Sequence, residues 1–184
     1  TTIPLVHTTL LPTVLLMRTR LLEMDISITP IAPVHNKALA TIIRAALEEF
    51  GANKPGTVYF DDSTDHLYEL FSSTPQSFYI VALEGDTVLG GAGIFPTEGL
   101  GATTCELVKM YLTPSARGTG LGKKLIATCL AEAKKIGFTH VYLETMPELK
   151  KAVSVYEKFG FTYLQAPMGN TGHNGCDIWM LKEI

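Results

Sequence analysis

The residues whose types and spacing bear most directly on chemistry are Arg117-Gly118-Thr119-Gly120-Leu121-Gly122, set between an apolar run and an amphipathic one. Glycines in this pattern let backbone approach a ligand closely. Free N–H groups and the positive end of a helix dipole then favour an anion such as phosphate. A Gly-rich turn that merely enters a helix is the alternative. Counting excludes two other phosphate loops. A Walker loop needs Gly where Arg117 stands and Ser or Thr where Lys124 stands. A dinucleotide fingerprint needs Gly at the position of Lys123. The five histidines form no His-x-x-x-His or Glu-flanked pattern, and Cys105, Cys129 and Cys176 are odd in number and widely separated. No metal site and no disulfide framework are predicted, and the thiols fit a reducing compartment.

These residues must be held by regular structure, and the pattern of apolar residues supplies it. Ile26-Ser27-Ile28-Thr29 alternates as a half-buried strand does, before Pro30 and Pro33. Leu39, Ile42, Ile43, Ala46, Leu47 and Phe50 recur at helical spacing and Gly51 follows. Asp61-Asp62-Ser63 offers N-caps for a short helix through Leu67, Leu70 and Phe71. Phe78–Leu83 and Val88–Phe95 form a hairpin around Glu84-Gly85-Asp86, and Glu106–Leu112 reads as the next strand. The glycine loop follows. Leu121, Leu125, Ile126, Cys129, Leu130, Ala133 and Ile136 then mark a helix ended by Gly137. Val141–Leu143 is a short strand, Leu149 to Phe159 a helix ended by Gly160, and Phe161–Leu164 and Cys176–Leu181 two strands joined by the loop Met168–Gly175. The order β-α-α-β-β-β-α-β-α-β-β predicts one α/β domain, a mixed sheet covered by helices.

Length and charge agree with one domain of roughly 150 residues and an appendage. The chain has 184 residues, 46% of them hydrophobic, and a net charge of -3 from 15 basic and 18 acidic side chains. Such a balance excludes disorder throughout and gives no overall basic field for nucleic acid or an anionic membrane. No window approaches the roughly 20 apolar residues of a membrane-spanning helix, so the chain is read as soluble and cytoplasmic. Residues 1–23 lack clear period 2 or 3.6 and precede Met24. They read as an extension, non-native or upstream, with a packed helix or strand as the alternative. Arg18 and Arg20 follow its apolar run, the reverse of a signal peptide.

Two motifs together resemble the GNAT superfamily of N-acetyltransferases. Arg117-x-x-Gly120-x-Gly122 is similar to its Arg/Gln-x-x-Gly-x-Gly/Ala pyrophosphate loop, and Leu112-Thr113-Pro114 looks like the Val-x-Pro that ends the preceding strand. Tyr156-Glu157-Lys158-Phe159-Gly160-Phe161 is similar to the Tyr-Glu-Lys-x-Gly-Phe signature. The resemblance covers about 24–184, taken as the N-acetyltransferase domain, and implies a mixed, mostly antiparallel sheet of about seven strands. It also implies acetyl-CoA as cosubstrate, with no metal. The pyrophosphate would lie on Arg117, Gly118, Thr119, Gly120, Leu121, Gly122 and Lys123, and the pantetheine beside Met110, Tyr111 and Leu112, where neighbouring strands splay. The family often has Asn where this chain has Leu149, so that side-chain contact to pantetheine does not carry over.

The implied reaction is direct attack of an amine on the thioester through a tetrahedral intermediate. An aliphatic amine is mostly ammonium at neutral pH, so a carboxylate base is useful, and Glu106 stands eleven residues before Arg117, at the offset of the family's catalytic glutamate. Its alternative is a polar residue on the exposed side of a strand. Tyr156 matches the phenol that protonates the departing thiolate, with a core tyrosine as its alternative. Asp61, Asp62, Glu98 and His173 are candidates for holding a cationic acceptor, against helix capping for the aspartates and solvation for the others. The expected acceptor is a small-molecule amine, with a peptide or protein amine as a variant needing an open groove. A homodimer is compatible with this reading. A degenerate acyl-CoA-binding regulatory module is the non-enzymatic alternative.

Overall fold

The computed structural model describes residues 25–184, so the predicted extension 1–23 lies outside the described residues. Eleven elements occur there in the predicted order: β1 (Ile26–Pro30), α1 (Asn36–Glu49), α2 (Leu67–Ser73), β2 (Phe78–Glu84), β3 (Thr87–Phe95), β4 (Thr104–Leu112), α3 (Leu121–Ile136), β5 (His140–Thr145), α4 (Lys150–Lys158), β6 (Thr162–Tyr163) and β7 (Ile178–Glu183). The strands form one sheet in the order β1-β2-β3-β4-β5-β7-β6. Every neighbouring pair is antiparallel except β4 and β5. None of the described helices is long and apolar enough to cross a membrane.

Strand alternation distributes the apolar residues to both faces of the sheet. Ile80, Ala82, Ala92, Ile94, Cys105 and Leu107 face Leu125, Ile126 and Cys129 of α3, while Tyr79 and Val81 face Leu39, Ile43 and Leu47 of α1 and Leu67 and Phe71 of α2. The helices therefore sandwich the sheet, and each side chain that alternates along a strand has a core to enter. Two predicted strands are shifted. Of the run Phe161–Leu164 only Thr162 and Tyr163 are strand, with Leu164 N still donating to Trp179 O at 2.8 Å, and the last strand begins at Ile178 rather than Cys176. Phe161 is 3% exposed and packs on Tyr156 in the core instead of joining the ladder.

A β-bulge in β4 positions the site. Gly91 pairs with Tyr111 and Gly93 with Val108, so Lys109 and Met110 together oppose Ala92. Lys109 takes φ +49°, and the alternation of β4 reverses beyond it. Leu107 and then Met110 and Leu112 reach the α3 face, whereas Val108 and Tyr111 reach the α1 face. The bulge carbonyl is held from the side. The Tyr79 hydroxyl on β2 donates to Lys109 O at 2.9 Å. Its ring crosses β3 where Gly91 and Gly93 leave room, because a Cβ on either would lie 2.6 or 2.5 Å from that ring.

Candidate active site

Parallel pairing of β4 with β5 covers only Thr104, Cys105 and Glu106, opposite His140, Val141 and Tyr142. Beyond Glu106 the two strands part. The gap opens into a cavity of about 640 Å³ lined by β4 from Glu106 to Leu112, by Glu144–Met146, by Tyr156 and by Arg117, Gly118, Gly120, Gly122 and Lys123. Most of the predicted site residues thus share one cavity.

Glu106 is 4% exposed, so it is no solvated strand residue. Burial pushes its carboxyl up to about 7, reinforced by the charge of Glu144 and opposed by Thr97, His173 and Lys109. Thr97 Oγ1 donates to its Oε2. Tyr156 is buried at the edge of the same cavity, and its hydroxyl makes no hydrogen bond among the described residues. Burial raises its phenol to about 12, so it stays protonated at neutral pH and keeps its donor.

The glycine loop enters α3 with Gly120 as its N-cap at φ +90°, a conformation that L side chains resist. The amides of Gly118, Thr119, Gly120, Gly122 and Lys123 have no acceptor among the described residues, whereas Arg117 N, Leu121 N and Lys124 N are used. Together with the helix start they make a row of unpaired donors, the arrangement that suits an anion chemically. A Cβ at Gly122 would meet Met110 Cε at 3.0 Å, a contact that a small movement of the flexible methionine end relieves. The Arg117 amide donates to Pro114 O at 3.3 Å, and its side chain is engaged within the chain. Its guanidinium donates to both carboxylate oxygens of Glu49 at 2.8 Å, its Nε to Leu112 O at 3.0 Å, and it lies 5.1 Å from the centre of the Phe50 ring. It fastens the loop to α1. The side chains of Thr119 and Leu121 also turn away from the cavity, Thr119 onto Ala116 O and Leu121 into the core.

A second cavity, of about 260 Å³, shares Glu106, Val108, Lys109 and His173 with the first and reaches Asp61, Ser63, Thr97, Glu98, Asn170 and Thr171. Asp61 makes no side-chain cap. Its Oδ2 instead accepts from Lys109 Nζ at 3.2 Å and lies 2.9 Å from His173 Nε2. Burial raises the Asp61 carboxyl, but His173 and Lys109 outweigh it and the net shift is downward. His173 is therefore tied to a carboxylate rather than solvated. Asp62 is exposed and lines neither cavity, and Glu98 is an exposed residue at the rim of the second.

Sequence reasoning missed Lys109, Thr97 and Glu144. Glu144 follows the buried run Val141–Leu143, and strand alternation with Tyr142, the partner of Glu106, is the signal that puts it on the same face of the sheet as Glu106. Its carboxylate accepts from the Tyr142 hydroxyl at 2.7 Å and from Thr171 Oγ1 at 2.9 Å. The reach of Lys109 depends on the bulge, which no residue type announces.

The comparisons with known proteins bear on the same segment. The model of the acetyltransferase (GNAT) family matches residues 39–161. The uncharacterized N-acetyltransferase YjgM of Escherichia coli is 41% identical over 151 residues, covering 81% of this chain and 89% of that protein. An acetyltransferase of the GNAT family from Staphylococcus aureus superposes with a TM-score of 0.76 at 16% identity, covering 86% of this chain and 98% of that one. YncA of Salmonella typhimurium, a putative acetyltransferase solved with its cofactor acetyl-CoA, gives 0.67 at 20% identity, covering 86% and 93%. A cavity where β4 leaves β5, a loop of free amides at the start of α3 and a family match spanning both lead to one conclusion: this chain belongs to the GNAT family of acetyltransferases.

Proposed function

We propose that the protein transfers acetyl from acetyl-CoA to the primary amine of a small molecule, by direct attack of the amine on the thioester. The observation that carries this reading is Glu106, a buried carboxylate at the junction of two cavities, one bordered by the free amides and the other by polar groups. The row of unpaired amides suits the cosubstrate's pyrophosphate. The side of β4 left without a strand beyond Glu106 suits pantetheine, which hydrogen bonds to backbone as an added strand does.

In this reading Glu106 receives a proton from the acceptor's ammonium, because a carboxyl with its proton affinity near neutrality can both take and release one. The freed lone pair attacks the carbonyl carbon, the C–S bond breaks as the Tyr156 hydroxyl gives its proton to the departing thiolate, and the nitrogen of the new amide releases its extra proton, which restores the phenol through water. A small acceptor is favoured over a peptide because the loop Met168–Gly175 roofs the second cavity and is fastened on both sides. Asn170 N donates to Glu98 O at 2.7 Å and Gly175 N to Gly56 O at 2.9 Å. Free Cys105, Cys129 and Cys176 accord with a reducing setting, the cytoplasm.

A panel of amines, including polyamines, amino acids, aminoglycosides and peptides, with free-thiol release as readout, tests this. Release with at least one small amine and none with peptides is expected. Binding of acetyl-CoA with no thiol release on any amine would favour a regulatory acyl-CoA-binding module.

A further inference from the structure

Glu144 lies two residues beyond Tyr142, where β5 stops pairing with β4, and one of its carboxylate oxygens, one of Glu106 and a ring nitrogen of His173 all lie within 4.8 Å of one another. Glu106 is 4% exposed and its Oε1 accepts no hydrogen bond among the described residues. Neither glutamate forms an ion pair among the described residues: Lys109 Nζ is turned to Asp61 at 3.2 Å, and His173 Nε2 lies 2.9 Å from the same aspartate. Two carboxylates are thus held together, at the mouth shared with the acceptor cavity, with no lysine or arginine paired to either among the described residues. Such a pair costs free energy unless a cation answers it.

We propose that Glu144 is the second carboxylate of the acceptor site, the acceptor's ammonium seating between Glu106 and Glu144 and donating a hydrogen bond to each. This inference rests on the acetyl transfer proposed above and adds the residue that selects a cationic acceptor. An ammonium has three donors, enough for both carboxylates with one to spare. One N–H bond then breaks, its proton passes to a Glu106 oxygen, and the neutral amine keeps the electron pair for the thioester carbonyl. Glu144 keeps the other hydrogen bond, its carboxylate oriented by the Tyr142 and Thr171 hydroxyls. The groups facing Glu106 fit these roles: Glu144 from β5 raises its proton affinity, whereas Thr97 before β4, Lys109 on β4 and His173 from the roofing loop lower it.

The test compares Glu144→Gln with Thr171→Val, which removes the loop tether and leaves the charge. With the amine that reacts fastest in the panel, Glu144→Gln is expected to raise the acceptor KM about tenfold at an unchanged acetyl-CoA KM, and Thr171→Val less than about threefold. Carbon-13 NMR titration of the glutamate carboxyls in the full chain is expected to give a lower Glu106 midpoint in Glu144→Gln and an unmoved one in Thr171→Val. Equal effects of the two variants on acceptor KM, or a Glu106 midpoint unmoved by Glu144→Gln, overturn the proposal by reducing Glu144 to a loop tether. Absence of thiol release by the unaltered protein with every amine would instead overturn acetyl transfer itself, and this inference with it.

Discussion

Desolvation separates Glu106 from an ordinary surface carboxylate, since a charge in a buried strand position loses water that Thr97 only partly replaces. The same burial gives Tyr156 its value as a donor, because a phenol raised to about 12 does not ionise near neutrality. Tyr156→Phe keeps the edge contact with Phe161 and removes only the hydroxyl. Turnover is expected to fall about 100-fold while acetyl-CoA affinity, read by calorimetry, stays within about threefold. Unchanged turnover would make Tyr156 a core residue. At this scale residue type and motif single out Glu106, Gly120 and Tyr156, which line one cavity. The sequence was least readable where a side chain's partner is distant in the chain. Arg117 meets Glu49 and Asp61 meets His173 only because the sheet order brings α1 and the last hairpin to β4.

The elements that matter most are β4 and the two strands before it. Periodicity identified all three, yet the bulge was invisible, because Lys109 at φ +49° is not a residue that advertises a left-handed position. The glycines of β3 were visible as glycines, but their purpose depends on Tyr79 across the pair. Tyr79→Phe leaves the buried Lys109 carbonyl without its hydroxyl donor, and a loss of about 1–3 kcal/mol is expected in denaturant unfolding, with a raised KM for acetyl-CoA. Gly91→Ala is expected to cost more. Its Cβ would stand 2.6 Å from both Ile80 O and the Tyr79 ring, and backbone cannot move aside as a flexible side chain can. A Tyr79→Phe protein with unchanged stability and KM would show that the bulge holds itself.

At the scale of the whole fold, the one parallel pair among the described residues, β4–β5 between antiparallel neighbours, creates the opening, and helices pack on both faces of the sheet around it. The element order made this architecture legible, whereas the two cavities arise from loops whose course no local pattern dictates. Ligand binding to the native state alone raises stability by about 2.7 kcal/mol at 100 times the dissociation constant. For a domain of this size that corresponds to a rise of about 5–10 °C in Tm with acetyl-CoA. Gly120→Asp, which strains the N-cap and sets a negative side chain at the free amides, is expected to abolish the rise, and an equal rise in both proteins would misplace the cosubstrate. The most direct measurement of the central claim, that Glu106 is the base of an amine acetyltransferase, is the pH dependence of kcat/KM for the best acceptor in the unaltered protein and in Glu106→Gln. A base whose proton affinity is raised to about 7 is lost as pH falls through that value, so the unaltered protein should lose activity below about pH 7 and hold a plateau above it. Glu106→Gln should lose most at low pH, where free amine is scarcest, and recover toward the unaltered rate as pH rises, with acetyl-CoA affinity intact; an equal loss at every pH would contradict Glu106 as the base.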